Sequence, residues 1–434
     1  MKRVAFSTLG CKVNQYDTDV MKASFMERGY SCVDFSDEAD IYIVNTCTVT
    51  AVAARKSRQM AAKARKTNPG AIVAVTGCLG QLESDNVMKM TGADIVTGNV
   101  EKNKIVDLIE EHSTEPFIQA EDIFKESDYV QEGNSVQDSR TRIFIKVQDG
   151  CDNFCSYCTI PFARGRSRSR KPDDVVSEIK RYAESGAKEI VITGIHLDSY
   201  GKDLGDITLI GLLERIDKID CIQRIRLGSL EPASITEEFA VKASKLEKLC
   251  PHFHLSLQSG SDTVLERMRR RYTTAEFAEA AGILRSNFGE ATLTADIIVG
   301  FPGETESEFD ESVEFVNGMD FTKVHVFKFS PRKGTLAYGM KGRVPGDVKK
   351  ARSERMIEAA ASVRSRILSK LIGKRAEVLI EQECPGKKGY WEGHTKGYVK
   401  VVFECGECRP NESVMIEIEE ISGDFVSGTL KTGV

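Results

Sequence analysis

The stretch DGCDNFCSYCTIPFARGRSRSR, residues 149–170, decides how the rest of the chain is read. Cys151, Cys155 and Cys158 stand at C-x3-C-x2-C spacing directly after the strand-like run RIFIKVQ. A structural zinc site closes its shell with four Cys or His ligands. No fourth lies nearby in sequence, though a distant one would serve. An iron–sulfur cubane held by three cysteines keeps one iron open, so the missing ligand becomes the working position. Five basic residues follow at once: Arg164, Arg166, Arg168, Arg170 and Lys171. Cations beside a site that takes a nucleotide hold phosphates. Arg164 and Arg168 are therefore candidate phosphate contacts, with pairing to a carboxylate as the alternative.

Working outward, residues 1–112 read as strand–helix repeats: VAFSTLG, IYIVNTC, AIVAVTGC and ADIVTG alternate with helical runs, as in a parallel sheet. Cys11, Cys47 and Cys78 each directly follow one of these strands. Strand ends of a parallel sheet share one edge, where ligands bind. Buried thiols would explain one or two such cysteines. Three repeats of the same placement point to a second joint metal site. Residues 113–140 are polar and read as a linker. From 141 to 372 six strands alternate with helices, which fits an open, partial (β/α)6 barrel rather than the closed eight-stranded one. Residues 373–434 hold five short strands with turn residues between them, the pattern of a small all-β barrel. The fold class is α/β with this terminal barrel.

The chain has 434 residues, 41% hydrophobic and 29% charged, with net charge −5. That balance excludes a protein that coats nucleic acid non-specifically, not one with a local basic face. No apolar run has membrane-span length and no secretory signal is visible, so a cytoplasmic location is expected. A reducing compartment predicts that the twelve cysteines are thiols or ligands rather than disulfides.

The spacing C-x3-C-x2-C, with an aromatic residue, Tyr157, before the last cysteine, resembles the signature of the radical S-adenosylmethionine enzymes. Together with TLGCKVNQYDT, IVNTCTVT and VTGCLGQ and the terminal barrel, the chain resembles the methylthiotransferases of that superfamily over nearly its whole length. Its motifs are most similar to the MtaB branch, which acts on N6-threonylcarbamoyladenosine next to the anticodon of tRNA. The isopentenyl-adenosine branch and the branch that modifies a ribosomal-protein aspartate are the alternatives. The resemblance implies two 4Fe–4S clusters. Cys151, Cys155 and Cys158 would hold the radical cluster; Cys11, Cys47 and Cys78 would hold the auxiliary one. S-adenosylmethionine would serve as radical source and as methyl donor. An electron donor such as a flavodoxin or ferredoxin and a sulfur donor are implied as partners. The terminal barrel would be the family's RNA-binding TRAM domain. Tyr157, Gly194, Gln258 and Gly300, at or after strand ends, are the expected cofactor contacts.

The helix between Cys47 and Cys78 carries Arg55, Lys56, Arg58, Lys63, Arg65 and Lys66 with no acid between residues 51 and 70. Arg55 and Arg58 there, Arg164 and Arg168 after the cysteine loop, and Lys388 and Lys396 in the terminal barrel are expected RNA contacts, with Tyr390, Trp391 and Tyr398 available to stack on bases. ERMRRRY, residues 266–272, is a third basic run. Cys405 and Cys408 in CGEC have metal-like spacing but form only one pair. A non-catalytic RNA-binding protein whose cysteines hold zinc is the reading from another class.

Overall fold

The computed structural model describes residues 1–48, 51–130, 135–137 and 141–431. The N-terminal part is an all-parallel six-stranded sheet. It comprises β1 (Arg3–Thr8), β2 (Ser31–Val33), β3 (Ile41–Thr46), β4 (Ile72–Gly77), β5 (Ile95–Thr97) and β6 (Phe117–Gln119), in the order β2-β1-β3-β4-β5-β6. Central β3 is buried at every position, as a strand covered on both faces must be. Two apolar clusters, one around Tyr42, Val44 and Val75 and one around Ile43, Ala74 and Ile95, lie on opposite faces of the sheet. The four strands expected from sequence are present. The additional β2 and β6 have three residues each, too few for a period-2 signal. β6 lies inside the stretch read as a linker. The described part of 113–140 also carries a 3-10 turn, Ile123–Lys125, against the central domain.

The central part carries β7 (Arg142–Asp149), β8 (Arg168–Ser169), β9 (Glu189–Gly194), β10 (Arg224–Leu227), β11 (Ser229–Leu230), β12 (His252–Gln258), β13 (Thr292–Val299) and β14 (Lys323–Lys328). Two four-stranded sheets, β10-β9-β7-β8 and β11-β12-β13-β14, are joined where β10 continues through Gly228 into β11. Counting β10 and β11 as one, six parallel strands form the open barrel, and β8 adds an antiparallel edge beside the cysteine loop. Side chains alternate across the wall. Ile143, Ile145, Ile190, Ile225, Leu255 and Ile297 point outward into one large core beneath the helices. Their neighbours Phe144, His254, Asp296 and His325 therefore face the interior, which is polar and only partly covered.

Helix Gly346–Ser369 packs along β14 and leads to the C-terminal part. There β15 (Arg375–Glu383), β16 (Tyr390–Thr395), β17 (Lys400–Glu404), β18 (Ser413–Ser422) and β19 (Phe425–Leu430) close into a five-stranded barrel around Val378, Val401, Phe403 and Ile416. Cys405 and Cys408 are joined as a disulfide in the turn after β17. This corrects the expectation of free thiols: two cysteines three residues apart in a tight turn are geometrically able to bond.

The terminal barrel docks at the N-terminal ends of the central strands, away from the cysteine loop. Arg142 pairs with both Glu189 and Glu381. Arg224 donates to the His394 carbonyl at 2.9 Å, and Arg226 to the carbonyls of Thr395 and Lys396, both at 2.7 Å. Tyr398, at φ +61°, lies under the guanidiniums of Arg142 and Arg226, each 4.8 Å from its ring, and stacks on His394. Tyr398 is thus committed to the domain junction rather than free to meet a base. Trp391 packs against the barrel core. Tyr390, with Lys387 over its ring, is the aromatic of the three nearest the surface.

Candidate two-cluster active site

β1, β3 and β4 are adjacent and parallel, so Cys11, Cys47 and Cys78 emerge at the same edge of three neighbouring strands. Neighbouring strands lie about 5 Å apart, which places the three loops within reach of one multi-atom centre. Cys11 caps the helix Lys12–Glu27 and is exposed; Cys78 opens the helix Cys78–Thr91 and is buried, as is Cys47. Gly10, at φ +106°, lets the backbone meet the Cys47 side chain. A Cβ there would sit 2.8 Å from the Cys47 sulfur. Asn14 locks the arrangement by donating to the carbonyls of Leu9 and Thr46, both at 2.8 Å.

The second triad lies on the loop after β7. The Cys151 and Cys158 thiols are pushed up to about 11 and about 12, chiefly by burial and next by the neighbouring Cys155. Burial penalises charge on sulfur, so these thiols suit a metal that shares that charge. The Ile160 N–H points at the Cys158 sulfur (3.4 Å) and Arg270 Nη1 at the Cys155 sulfur (3.3 Å). Arg270 also pairs with Glu231. Asn153, Cys155, His196, Asp198, Glu231 and Arg270 border a cavity of about 210 Å³ beside the loop. Asp198 in its wall is pushed up to about 6, mainly by burial.

The donor sets fit iron–sulfur clusters with an open iron. Each offers three thiols. Among the described residues, the one group of three metal-ligating side chains with ligand atoms within 4.8 Å of one another is His254, Asp296 and His325, not a cysteine set. A single zinc ion, bound at about 2.3 Å, would draw its sulfurs to within about 4 Å of each other. Among the described residues neither cysteine triad has all three sulfurs that close, and three thiols leave a zinc ion one protein ligand short of a closed structural shell.

Two side chains link the triads. Asn99 points its amide at the Cys78 sulfur (3.7 Å) and donates to the carbonyl of Ala163 (2.6 Å), in the helix that follows Cys158. Arg164, one residue later, is 1% exposed. It donates to both oxygens of Asp149 at 3.0 and 2.9 Å, to Asn14 Oδ1 at 2.5 Å and to Asp17 at 3.1 Å, so it ties the start of the cysteine loop to the helix that Cys11 caps. Its charge is also felt by Cys78 and Cys11. Lys102 and Lys146 complete the network on Asp17, whose carboxyl they and Arg164 hold well below the usual range against the opposing cost of burial.

This overturns the reading of Arg164 and Arg168 as RNA contacts. Both are buried, Arg168 donating to the Arg164 carbonyl. Arg170 is buried against Tyr16 and Glu178. A basic run looks the same in sequence whether its partners are phosphates or carboxylates brought from distant segments. Arg166 and Lys171 do point outward. In the run at 266–272, Arg267 pairs with Glu308 and Arg270 turns in to Cys155 and Glu231, whereas Arg269 and Arg271 stay exposed at the cavity rim.

Arg55 is exposed and Arg58 half-buried on the helix Ala51–Thr67, which begins just after Cys47. Lys388 is exposed at the far end of the terminal barrel; Lys396 is exposed beside Glu377 at the domain junction. Tyr157 lies by the loop, packed among Val264, Met268 and Phe301. Gly194 ends β9, and Gln258 ends β12 at φ +67°. Gly300 has a different reason to be glycine. Its φ is +74°, a Cβ would strike Lys349 at 2.1 Å, and its N–H is taken by Glu304. Asn14, Asp17 and Asn99 are not singled out by the sequence, and Arg270 stands there only as one member of a basic run. Asn14 stood three residues after Cys11 in the quoted GCKVN motif and was the one with a local signal.

The family described as "Uncharacterized protein family UPF0004" matches residues 3–98, and the radical SAM superfamily matches 145–316. The chain is 38% identical to the threonylcarbamoyladenosine tRNA methylthiotransferase MtaB of Bacillus subtilis, over 96% of this chain and 94% of that protein. It is 33% identical to a tRNA-2-methylthio-N(6)-dimethylallyladenosine synthase of Staphylococcus haemolyticus, over 98% of this chain and 84% of that one. The radical S-adenosylmethionine methyltransferase TsrM from Kitasatospora setae superposes with a TM-score of 0.57 at 17% identity, covering 75% of this chain and 73% of its own, a likeness of fold.

Proposed function

The chain belongs to the radical S-adenosylmethionine methylthiotransferases, on the branch of the threonylcarbamoyladenosine tRNA enzymes, and on that premise we propose how its two sites divide the reaction. It is a transferase that places a methylthio group on C2 of N6-threonylcarbamoyladenosine in tRNA. Two three-cysteine sites whose segments are tied together through Asn99 and Arg164 carry this reading. Radical formation alone needs one triad; sulfur insertion needs a second centre close to the same substrate atom. Cys151, Cys155 and Cys158 would hold the cluster that supplies one-electron chemistry for S-adenosylmethionine cleavage, and Cys11, Cys47 and Cys78 the cluster that supplies the sulfur.

The protein's own residues position and shield. Asn99 and Arg164 fix the distance between the triads. Arg270 and Glu231 wall the cavity beside Cys155 and keep solvent charge from it. Gly194 and Gln258 bring backbone to the mouth of the barrel for the cofactor. The exposed face of Ala51–Thr67, with Arg55 and Lys56, together with Lys388, meets tRNA phosphates. A low-potential flavodoxin- or ferredoxin-type protein delivers electrons, and a separate donor renews the sulfur. No described helix is long and apolar enough to cross a membrane. A cytoplasmic setting, where tRNA and such reductants meet, belongs to the same proposal. So do the working boundaries 1–112, 141–372 and 373–434, with the first unit extended to include β6.

The test is the nucleoside content of total tRNA, by mass spectrometry, with and without the gene. Loss of 2-methylthio-N6-threonylcarbamoyladenosine with build-up of its unthiolated precursor is expected. Loss of the isopentenyl analogue instead would keep the chemistry and overturn the branch.

A further inference from the structure

The barrel interior below the cysteine loop is not a packed core. Phe144, Asp296 and His325 on its wall are only partly covered, and His254 stands beside them. Asp296 approaches His254 Nε2 at 3.3 Å, and His325 lies across from His254 with ring centroids 5.9 Å apart. Into this space comes one residue from the other domain. Lys12, directly after Cys11, sets its ammonium 5.8 Å from the centre of the Phe144 ring. Solvent reaches Lys12, yet protein lies around it on several sides.

Charge makes this position unusual. Among the described residues, Lys12 has no hydrogen bond and no ion pair. Its charged neighbours are Arg142 and Arg226, with Glu189 the nearby anion. Glu189 is already shared between those two arginines. The charge of Lys12 also reaches His252 and His325. Arg142 is paired with Glu381 as well, and Asp296 approaches His254, so these carboxylates already have partners, and the flexible ammonium of Lys12 faces the open barrel interior with no described carboxylate paired to it. Such a group, partly desolvated, is an anion receptor. Phe144 lies five residues before the end of β7, so at about 3.3 Å per residue the ammonium sits roughly 15 Å below the loop that starts the radical triad.

We propose that Lys12 receives the carboxylate of the threonylcarbamoyl group, with Phe144 beneath it and Asp296, held by His254, accepting from the neutral hydroxyl and urea N–H groups. This rests on the proposed substrate and deepens it: the first domain would supply both an auxiliary cluster ligand and, one residue on, the group that tells a charged N6 substituent from an apolar one. Burying an unpaired ammonium against an uncharged substituent would cost more than pairing it, so the same residue rejects the isopentenyl base.

The test uses the holoenzyme with both clusters and two anticodon stem-loops, one carrying threonylcarbamoyladenosine and one its methyl ester. The wild type should favour the acid by about 10-fold or more in kcat/KM and in equilibrium binding, as expected for a charge-assisted hydrogen bond. Lys12→Gln should bring that acid-to-ester ratio close to one, and Lys12→Arg should restore most of it. A wild type that accepts acid and ester equally overturns the inference without any variant, as does a Lys12→Gln protein that keeps the wild-type ratio. Methylthiolation of neither stem-loop by the wild type would overturn the proposed substrate, and the inference with it.

Discussion

Cys151, Cys155 and Cys158 come from one short loop, whereas Cys11, Cys47 and Cys78 come from three strand ends separated by most of a domain. The loop triad lies on one segment with local contacts such as the Ile160 N–H on Cys158, and distant groups such as Arg270 on Cys155 are added to these. The dispersed triad exists only while β1, β3 and β4 stay in register. A local site can be kept by local sequence; a distributed one must be kept by the fold. Arg164 and Asn99 join the two, so the distributed site is also braced by the local one.

The largest effect should come from Cys155→Ala. With S-adenosylmethionine and reductant, 5′-deoxyadenosine formation should fall to background, measured by chromatography, and methylthiolation with it. Next is Arg164→Ala. It strips a buried cation from Asp149 and Asp17 and leaves both with less compensation. Breaking such a pair costs about 3–5 kcal/mol, which thermal unfolding would register as a marked loss of stability. Both triads should lose iron together. Loss from only one would break the idea that Arg164 braces the two.

A middling effect is expected at the surface. Reversing Arg55 and Lys56 to Glu should weaken tRNA binding and lower the slope of log affinity against log salt by about one for each phosphate that is no longer neutralised. Filter binding over a salt series measures this. An unchanged slope would remove that helix from the RNA path.

The smallest effect concerns Asp198, beside the loop triad. Its pKa is raised by burial to about 6, above the ordinary value of 3.8. Between those values the folded protein binds more protons than the unfolded one, so stability falls as pH rises through that window and levels off above it. Asp198→Asn should flatten this dependence, changing the midpoint difference between pH 5 and pH 7 by about 2 °C. A parallel fall in the variant would assign the dependence to another group.

The contrast between the triads also explains what was legible in sequence. The loop triad was readable because its spacing is short. The dispersed triad was readable only through the repeated strand–Cys pattern, which converts into proximity because parallel strands share an edge. The six barrel strands were legible from β-branched runs such as EIVITG. β6 was not, because a three-residue edge strand takes its identity from its neighbour. The basic run after Cys158 misled for the opposite reason. Arg164 and Arg170 find Asp17 and Glu178, and nothing local to the run announces those partners. The roles of Lys12 and Arg270 were not legible because they lie in what surrounds each, the open barrel interior for one and the Cys155 sulfur for the other.

The central claim is that two separate clusters share one active site but divide its work. The most direct measurement is iron and acid-labile sulfide per chain, with 5′-deoxyadenosine formation, in anaerobically reconstituted wild type and in a variant with Cys11, Cys47 and Cys78 all replaced by Ala. The account predicts half the iron, preserved S-adenosylmethionine cleavage and no methylthiolated nucleoside in the variant. Unchanged iron, or methylthiolation that survives, would contradict it.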